Sequence, residues 1–372
     1  MALLGASLVF RLAVLPDGHV QASGYDARAL DQFAAYSDIP SLYFRDRLWR
    51  HPAPYYQYRF EYPVLLGAVV WVLSKVHRTA TDYFLVTSGV LAACALFSVW
   101  VLGRLKGARP ALFALAPAVA FTGLLNWDLI AIALTLTALY LHSERRDTAG
   151  ALALAVAVWT KFFPIVCLPI VVACRLAERR FAAAARIVAV FGAVTLAVNL
   201  PVVLASNAAY RRWSYFFSYN AKRKPTVSAW LYVDLSPSVI NVISGAVLAL
   251  IVGLATLAVW RRRDSATEAL VLAACVPLIG LFAVGKVFNP QYALWIMAAL
   301  AAVGARWRLA LVFVAADTAV FITHLAGLHP RSAFIDVSNV ARQAVTAGLL
   351  IVLLRQLWRQ RAPEGFMHQP GS

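Results

Sequence analysis

The acidic residues are few, and they cluster. Asp26, Asp31, Asp38, Asp46 and Glu61 fall within residues 17–61, interleaved with tyrosine, phenylalanine and tryptophan. A carboxylate held among aromatic rings loses hydration, its affinity for a proton rises, and it becomes a competent general base toward a hydroxyl. The competing use of the same residues is to solvate a surface loop or to pair with Arg28, Arg45 and Arg47, and spacing alone does not choose among them. Further along, cations interrupt apolar sequence: Lys161 in TKFFP, Lys286 in GKVFNPQY, and Arg211, Arg212, Lys222, Arg223 and Lys224 in segment 206–236. Lys161 and Lys286 each stand close to a proline at the end of an apolar run, where a broken helix exposes backbone groups to a ligand. For Arg223, Lys224 and Arg331 the plainer role is snorkelling to lipid headgroups. Asp128 opens an apolar run two residues after Asn126, where helix capping accounts for it as well as chemistry does. Asp317 lies in the middle of a run, as a structural group or the partner of an arginine.

The elements that must position these groups are membrane helices. With 62% hydrophobic and 14% charged residues and a mean hydropathy of +0.71, the 372-residue chain lies outside the range of water-soluble domains. Its apolar runs are roughly 15 to 25 residues long, enough to cross about 30 Å of hydrocarbon as helix, so the fold class is an all-α integral membrane protein. Runs fall at 2–16, 62–75, 81–102, 110–125, 127–142, 148–163, 164–176, 181–205, 237–260, 266–284, 289–304, 307–327 and 338–357. The first, MALLGASLVFRLAVLP, has neither a basic segment before it nor an A-x-A-like cleavage site and is read as a membrane helix rather than a signal peptide. The net charge of +17 does not point to nucleic acid, because basic clusters at 103–109, 144–147, 175–180, 261–264, 306–308 and 355–361 occupy alternate loops and mark cytoplasmic ends. The alternation works only if 62–75 does not cross. The expectation is therefore about 12 spans in a single domain with both ends inside, residues 17–80 forming a long extracytoplasmic first loop with a juxtamembrane helix, and a cytoplasmic tail at 358–372. Cys94, Cys167, Cys174 and Cys275 lie in apolar runs without metal-site spacing, against a disulfide framework or zinc.

Five short motifs then fall on the outer face in this scheme: YSDIPSLY (36–43), EYP (61–63), NWD (126–128), KFFP (161–164) and KVFNPQY (286–292). Together they resemble glycosyltransferase family 87, the PimE-like, polyprenyl-phosphate-mannose-dependent mannosyltransferases of the GT-C superfamily; Asn289 stands where that pattern suggests a small residue. The resemblance implies a GT-C-type bundle whose first outer loop bears a catalytic aspartate, which by motif falls on Asp38. It further implies a reaction in which an acceptor hydroxyl gives its proton to Asp38 and attacks the anomeric carbon of a sugar-phosphoryl-polyprenol with inversion. Lys161, Lys286, Arg211, Arg212 and His324 become candidates for holding the donor phosphate, with proton shuttling or simple packing as the other roles open to His324. Glu61, Tyr62, Asn126, Asp128, Asn289, Gln291 and Tyr292 become candidates for substrate binding. No cofactor is called for, the lipid-linked sugar being the cosubstrate, and a divalent metal is left open. The implied partners are the polyprenyl-phosphate-sugar donor, a lipid or glycan acceptor and membrane lipids, with no nucleic acid. The composition, rich in alanine and in arginine over lysine, fits a bacterial plasma membrane.

A multi-span lipid or solute transporter or flippase is the rival class. Transporters commonly carry two similar halves with interrupted helices in matching places, and the long acidic and aromatic first loop has no counterpart in the second half. A non-catalytic assembly factor would leave Asp38, Lys161 and Lys286 without a reason to converge.

Overall fold

The computed structural model describes residues 2–12, 36–76, 79–325 and 333–359. Asp26, Asp31, Arg28, Arg331 and the ring of His324 lie outside what it describes. The described chain is helical without a strand, with isolated bridges at Pro54–Tyr58 and Thr226–Val287. In chain order the helices are α1 (Ala2–Leu12), α2 (Asp38–Arg45), α3 (Val64–Ser74), α4 (Ala80–Arg104), α5 (Pro110–Ala114), α6 (Pro117–Thr122), α7 (Asp128–Ser143) and α8 (Asp147–Thr160). Then come α9 (Leu168–Ala177), α10 (Phe181–Ala205), α11 (Asn207–Lys222), α12 (Pro237–Arg261), α13 (Ala266–Val284), α14 (Ala293–Ala302), α15 (Trp307–Leu325) and α16 (Ala333–Arg359).

Local chemistry sets many of these limits. Thr79 caps α4 by accepting from the Asp82 amide at 3.0 Å, and Ser206 caps α11 by accepting from Ala209 at 3.1 Å. Pro110 and Pro117 each open a short helix, a position where the missing N–H costs nothing. The run 110–125 is therefore two short helices rather than one span. Among the described residues, five helices are long and apolar enough to cross a membrane: α4, α10, α12, α16 and the stretch Arg263–Val284 that contains α13. The other apolar helices are shorter. Asp128–Ser143, at 16 residues, extends about 24 Å, and α3, at 11, about 16 Å. The described helices do not confirm the expected count of about 12 spans, since prolines and tertiary packing break or shorten several of the apolar runs. Large apolar side chains nevertheless face outward on the long helices, among them Leu196, Leu204, Val242, Leu250 and Ile351, as a lipid solvent allows and water does not.

The helices run between two chemically different poles. One is basic. Arg109 N–H donates to Ala301 O at 2.8 Å, joining loop 103–109 to the end of α14. Arg175, fully buried, donates to Asp147 at 2.8 Å, to the His142 carbonyl at 2.5 Å and to Thr267 at 2.8 Å, tying the ends of α7, α8, α9 and α13. Arg261 lies 5.1 Å over the Trp358 ring, which brings the end of α16 beside the end of α12. The opposite pole begins where Tyr43 of α2 stacks on Tyr83 of α4 at 5.3 Å.

Candidate active site

The second pole contains a cavity of about 630 Å³, within the 300–1,000 Å³ common for small-ligand sites. Helix α2 supplies its carboxylate. Ser37 caps α2 by accepting from the Ile39 amide at 3.3 Å, and its hydroxyl donates to Leu124 O at 2.8 Å; the Asp38 amide donates to Leu125 O at 2.8 Å. These bonds fix Asp38, the first helical residue, against the segment that leads into α7. Its Oδ1 accepts from the Tyr36 hydroxyl at 2.8 Å and its Oδ2 from Asn126 Nδ2 at 2.6 Å, with the Tyr62 hydroxyl at 3.5 Å. Burial pushes the Asp38 carboxyl above the ordinary carboxylate range; the Tyr36 and Asn126 hydrogen bonds and the Lys161 charge pull the other way.

Asn126 is the hub. Its Nδ2 also donates to Tyr62 Oη at 2.7 Å, and its Oδ1 accepts from the Trp127 amide at 2.6 Å and from Lys161 Nζ at 3.5 Å. One side-chain amide therefore links the carboxylate to the ammonium. Lys161, 6% exposed, ends α8 and pairs with the Asp128 carboxylate at 3.2 Å. Its Nζ also lies 5.0 Å from the Tyr62 ring centroid, 5.6 Å from Phe163 and 5.8 Å from Tyr292. Tyr62 is held in turn by the Tyr55 hydroxyl, which donates to its carbonyl at 2.8 Å. That contact requires Gly67, since a Cβ there would come within 2.7 Å of the Tyr55 ring.

Several sequence candidates take other places. Asp128 neither lines the cavity nor caps its helix: it is fully buried, accepting from Trp295 Nε1 at 2.7 Å and from Lys161. It sits behind Lys161 rather than in the cavity lining. Lys286 turns away from the cavity and donates to Ala221 O at 2.9 Å, satisfying a carbonyl at the end of α11. Burial and the nearby Arg223 charge lower its affinity for a proton. Arg211 and Arg212 line a separate groove with Gln57, Tyr58, Arg59 and Tyr215, and the Arg212 guanidinium donates to Tyr56 O. The 11 positions from Arg212 to Arg223 amount to about 16 Å of helix, too far for one phosphate to touch both ends. Arg211 and Arg212, read as phosphate candidates together with Lys161, are thus set apart from the cavity that Lys161 lines. Glu61 does line the cavity, but its carboxylate is gripped by Arg45 at 2.7 and 2.8 Å, and Arg45 also holds Asp46. Tyr62, Asn126, Asn289, Gln291 and Tyr292 all reach the cavity.

Sequence reasoning did not assign Tyr36, Phe216, Tyr219, Asn220 or Arg223 to the site, and all five line the cavity. Arg223, read as a snorkelling residue, lies 5.8 Å from the Tyr219 ring centroid and pairs with no carboxylate among the described residues. The spacing 216, 219, 220, 223, one face of a helix, was the available signal. Asp317, expected either structural or paired, is bonded to Arg342 at 3.0 Å.

An apolar helical bundle with a carboxylate, a lysine and aromatic rings around a cavity at one pole is a membrane protein with a candidate ligand site. Residues 60–290 match the family model of glycosyltransferase family 87, and the chain belongs to that family. It is a membrane glycosyltransferase, and the transporter reading falls. No curated protein matches the chain. The matched stretch includes Glu61, Tyr62, Asn126 and Lys161 but not Asp38, which is joined to it through the amide of Asn126.

Proposed function

We propose that the chain transfers a sugar, mannose in the reading that the resemblance supports, from a polyprenyl-phosphate donor to a hydroxyl of a lipid or glycan acceptor, with inversion. The observation that carries this is the bridge Asp38–Asn126–Lys161 in a cavity walled by aromatic rings and closed by Arg223. Asp38 takes the proton of the acceptor hydroxyl as its oxygen attacks the anomeric carbon from the face opposite the phosphate. The bond from that carbon to the phosphate oxygen breaks, and polyprenyl phosphate leaves with the electron pair. Arg223, which pairs with no carboxylate among the described residues, grips the donor phosphate in ground and transition states alike, and the ammonium of Lys161 stabilises the developing charge in a medium of low dielectric. Tyr62, Asn289, Gln291 and Tyr292 are placed to hold sugar hydroxyls, and Glu61, fixed by Arg45, to orient the acceptor. The reading uses no cofactor besides the lipid-linked sugar.

The test is to incubate purified protein with polyprenyl-phosphate-mannose and membrane lipid extract and to examine products by mass spectrometry. Products carrying one added hexose are expected; wild-type protein that forms none from this donor, under conditions where its fold is intact, rules the donor class out. In the same assay Arg223→Gln should raise the donor KM about tenfold with a smaller change in kcat, the pattern of a lost phosphate contact made in both ground and transition states.

The face is proposed from charge. With the basic loops at one pole, the positive-inside rule sets the cavity on the extracytoplasmic side of a bacterial plasma membrane. A cysteine introduced at Asn220 should react with an impermeant maleimide in intact cells, and one at Lys106 should not. The reverse pattern would place the chemistry in the cytoplasm.

A further inference from the structure

Arg342 and Asp317 lie beyond the stretch that carries the family match, and the reaction scheme uses neither. Arg342 of α16 has no exposed surface, Asp317 of α15 is 7% exposed, and Nη1 meets Oδ1 at 3.0 Å. A buried ion pair is by itself weak evidence of stabilisation, since desolvation consumes much of the attraction. What sets this pair apart is where the guanidinium's other donors go. Nη2 donates to Val227 O at 3.0 Å and to Phe288 O, and the guanidinium lies 3.9 Å from the centroid of the Phe288 ring. The next residue, Gln343, donates to Ala283 O at 2.9 Å and accepts from the Ala229 amide at 2.5 Å. Two consecutive side chains of α16 thus grip two segments, 226–229 and 283–288. Those segments are joined to each other by Thr226 N–H to Lys286 O and Phe288 N–H to Thr226 O, both at 2.9 Å.

The same two segments root the far wall of the cavity. Arg223 lies three residues before Thr226, and Asn289 directly follows Phe288. Val227, within the gripped segment, has φ +52°, a left-handed conformation rare for a β-branched residue. Strain of this kind persists where the surroundings over-determine the backbone, and it concentrates near functional sites. Here the surroundings include the hydrogen bond from Arg342 to the Val227 carbonyl.

We infer that Arg342 is a positioning residue for the donor side of the cavity: Asp317 fixes its guanidinium, which locks segments 226–229 and 283–288 together so that Arg223 and Asn289 face the cavity jointly. The inference rests on the reading of this cavity as the donor site. Arg342 acts through two backbone carbonyls, with its charge neutralised by Asp317, and touches no substrate.

Arg342→Met alone strands Asp317 as an uncompensated buried charge and is expected to impair folding, so the informative variant is Asp317→Leu/Arg342→Met, which replaces the pair with apolar side chains of similar bulk. The double variant should melt close to wild type. Its donor KM should rise about tenfold while kcat stays within about threefold, a split that general destabilisation does not produce. Amide exchange should quicken at Thr226 and Phe288 and stay unchanged across Asp38–Arg45. Unchanged exchange at Thr226 and Phe288 overturns the clamp, and quickened exchange with a wild-type donor KM overturns its role in positioning. The exchange measurement needs no turnover. If the wild-type chain transfers nothing from a lipid-linked donor, the donor reading fails on its own while the exchange result still decides whether Arg342 locks the two segments.

Discussion

Asp38→Asn is expected to lower turnover about 10²–10⁴-fold while leaving donor affinity nearly intact, the usual size of a general-base contribution. Asparagine keeps the shape: its carbonyl oxygen can still accept from Asn126, and its amide can turn to the Tyr36 hydroxyl, so the fold loses little. What it loses is the group that accepts the acceptor's proton. Asp46→Asn is the matched control, since Asp46 is held by Arg45 outside the cavity lining, and its activity should stay near wild type. The pH dependence has its origin in the same geometry. Burial raises the Asp38 carboxyl above the ordinary range, the reaction needs the ionised form, and activity should therefore fall as pH drops through that raised value. The acid limb should lie above the usual carboxylate pKa of about 4. Full turnover in Asp38→Asn, measured on product released per enzyme, would remove the loop carboxylate from the mechanism.

Lys161→Met should be the second severe change, and in two separable ways. It leaves the buried Asp128 carboxyl with the Trp295 indole as its remaining partner among the described residues, and breaking such a pair costs about 3–5 kcal/mol. It also removes the cation on the cavity side of Asn126. Lys161→Met/Asp128→Asn should restore most of the stability, seen as recovery of the melting temperature, and leave transfer depressed at least about 10²-fold, as loss of a preorganised charge at a developing oxyanion does. Recovery of activity along with stability would make Lys161 a structural ion. The remaining effect of the lysine is on Asp38: its charge lowers the carboxyl's proton affinity, so any residual activity in the double variant should show its acid limb at higher pH than wild type.

The sequence alone determined the features that depend on solvent and on helical period. Sixty-two per cent apolar residues in runs of helical length leave no soluble option, because unsatisfied backbone in hydrocarbon forces helices, and five motifs between Tyr36 and Tyr292 resembled the family that the chain belongs to. Asn126 and Lys161 stood out because each sits in a short polar interruption of an apolar run, where a polar side chain needs a reason, whereas Asp38 was singled out only by the resemblance, its spacing being no different from that of the other acids of the first loop. The spans were less legible: Pro117 splits one run and α14 is only 10 residues, since hydropathy reports what lipid or a protein interior tolerates and does not distinguish between them. Only the tertiary structure decided which cations share a cavity. Arg211, Arg212 and Arg223 lie within 13 consecutive residues, yet a rigid helix carries them to different sites, and Lys286 is spent on the Ala221 carbonyl. Asp128 illustrates the same limit from the other side. Its spacing suited a cap or a substrate contact equally, and what settled its place was Trp295, 167 residues away in the chain and 2.7 Å away in space, a contact that no local pattern encodes because it is made by the packing of α7 against α14.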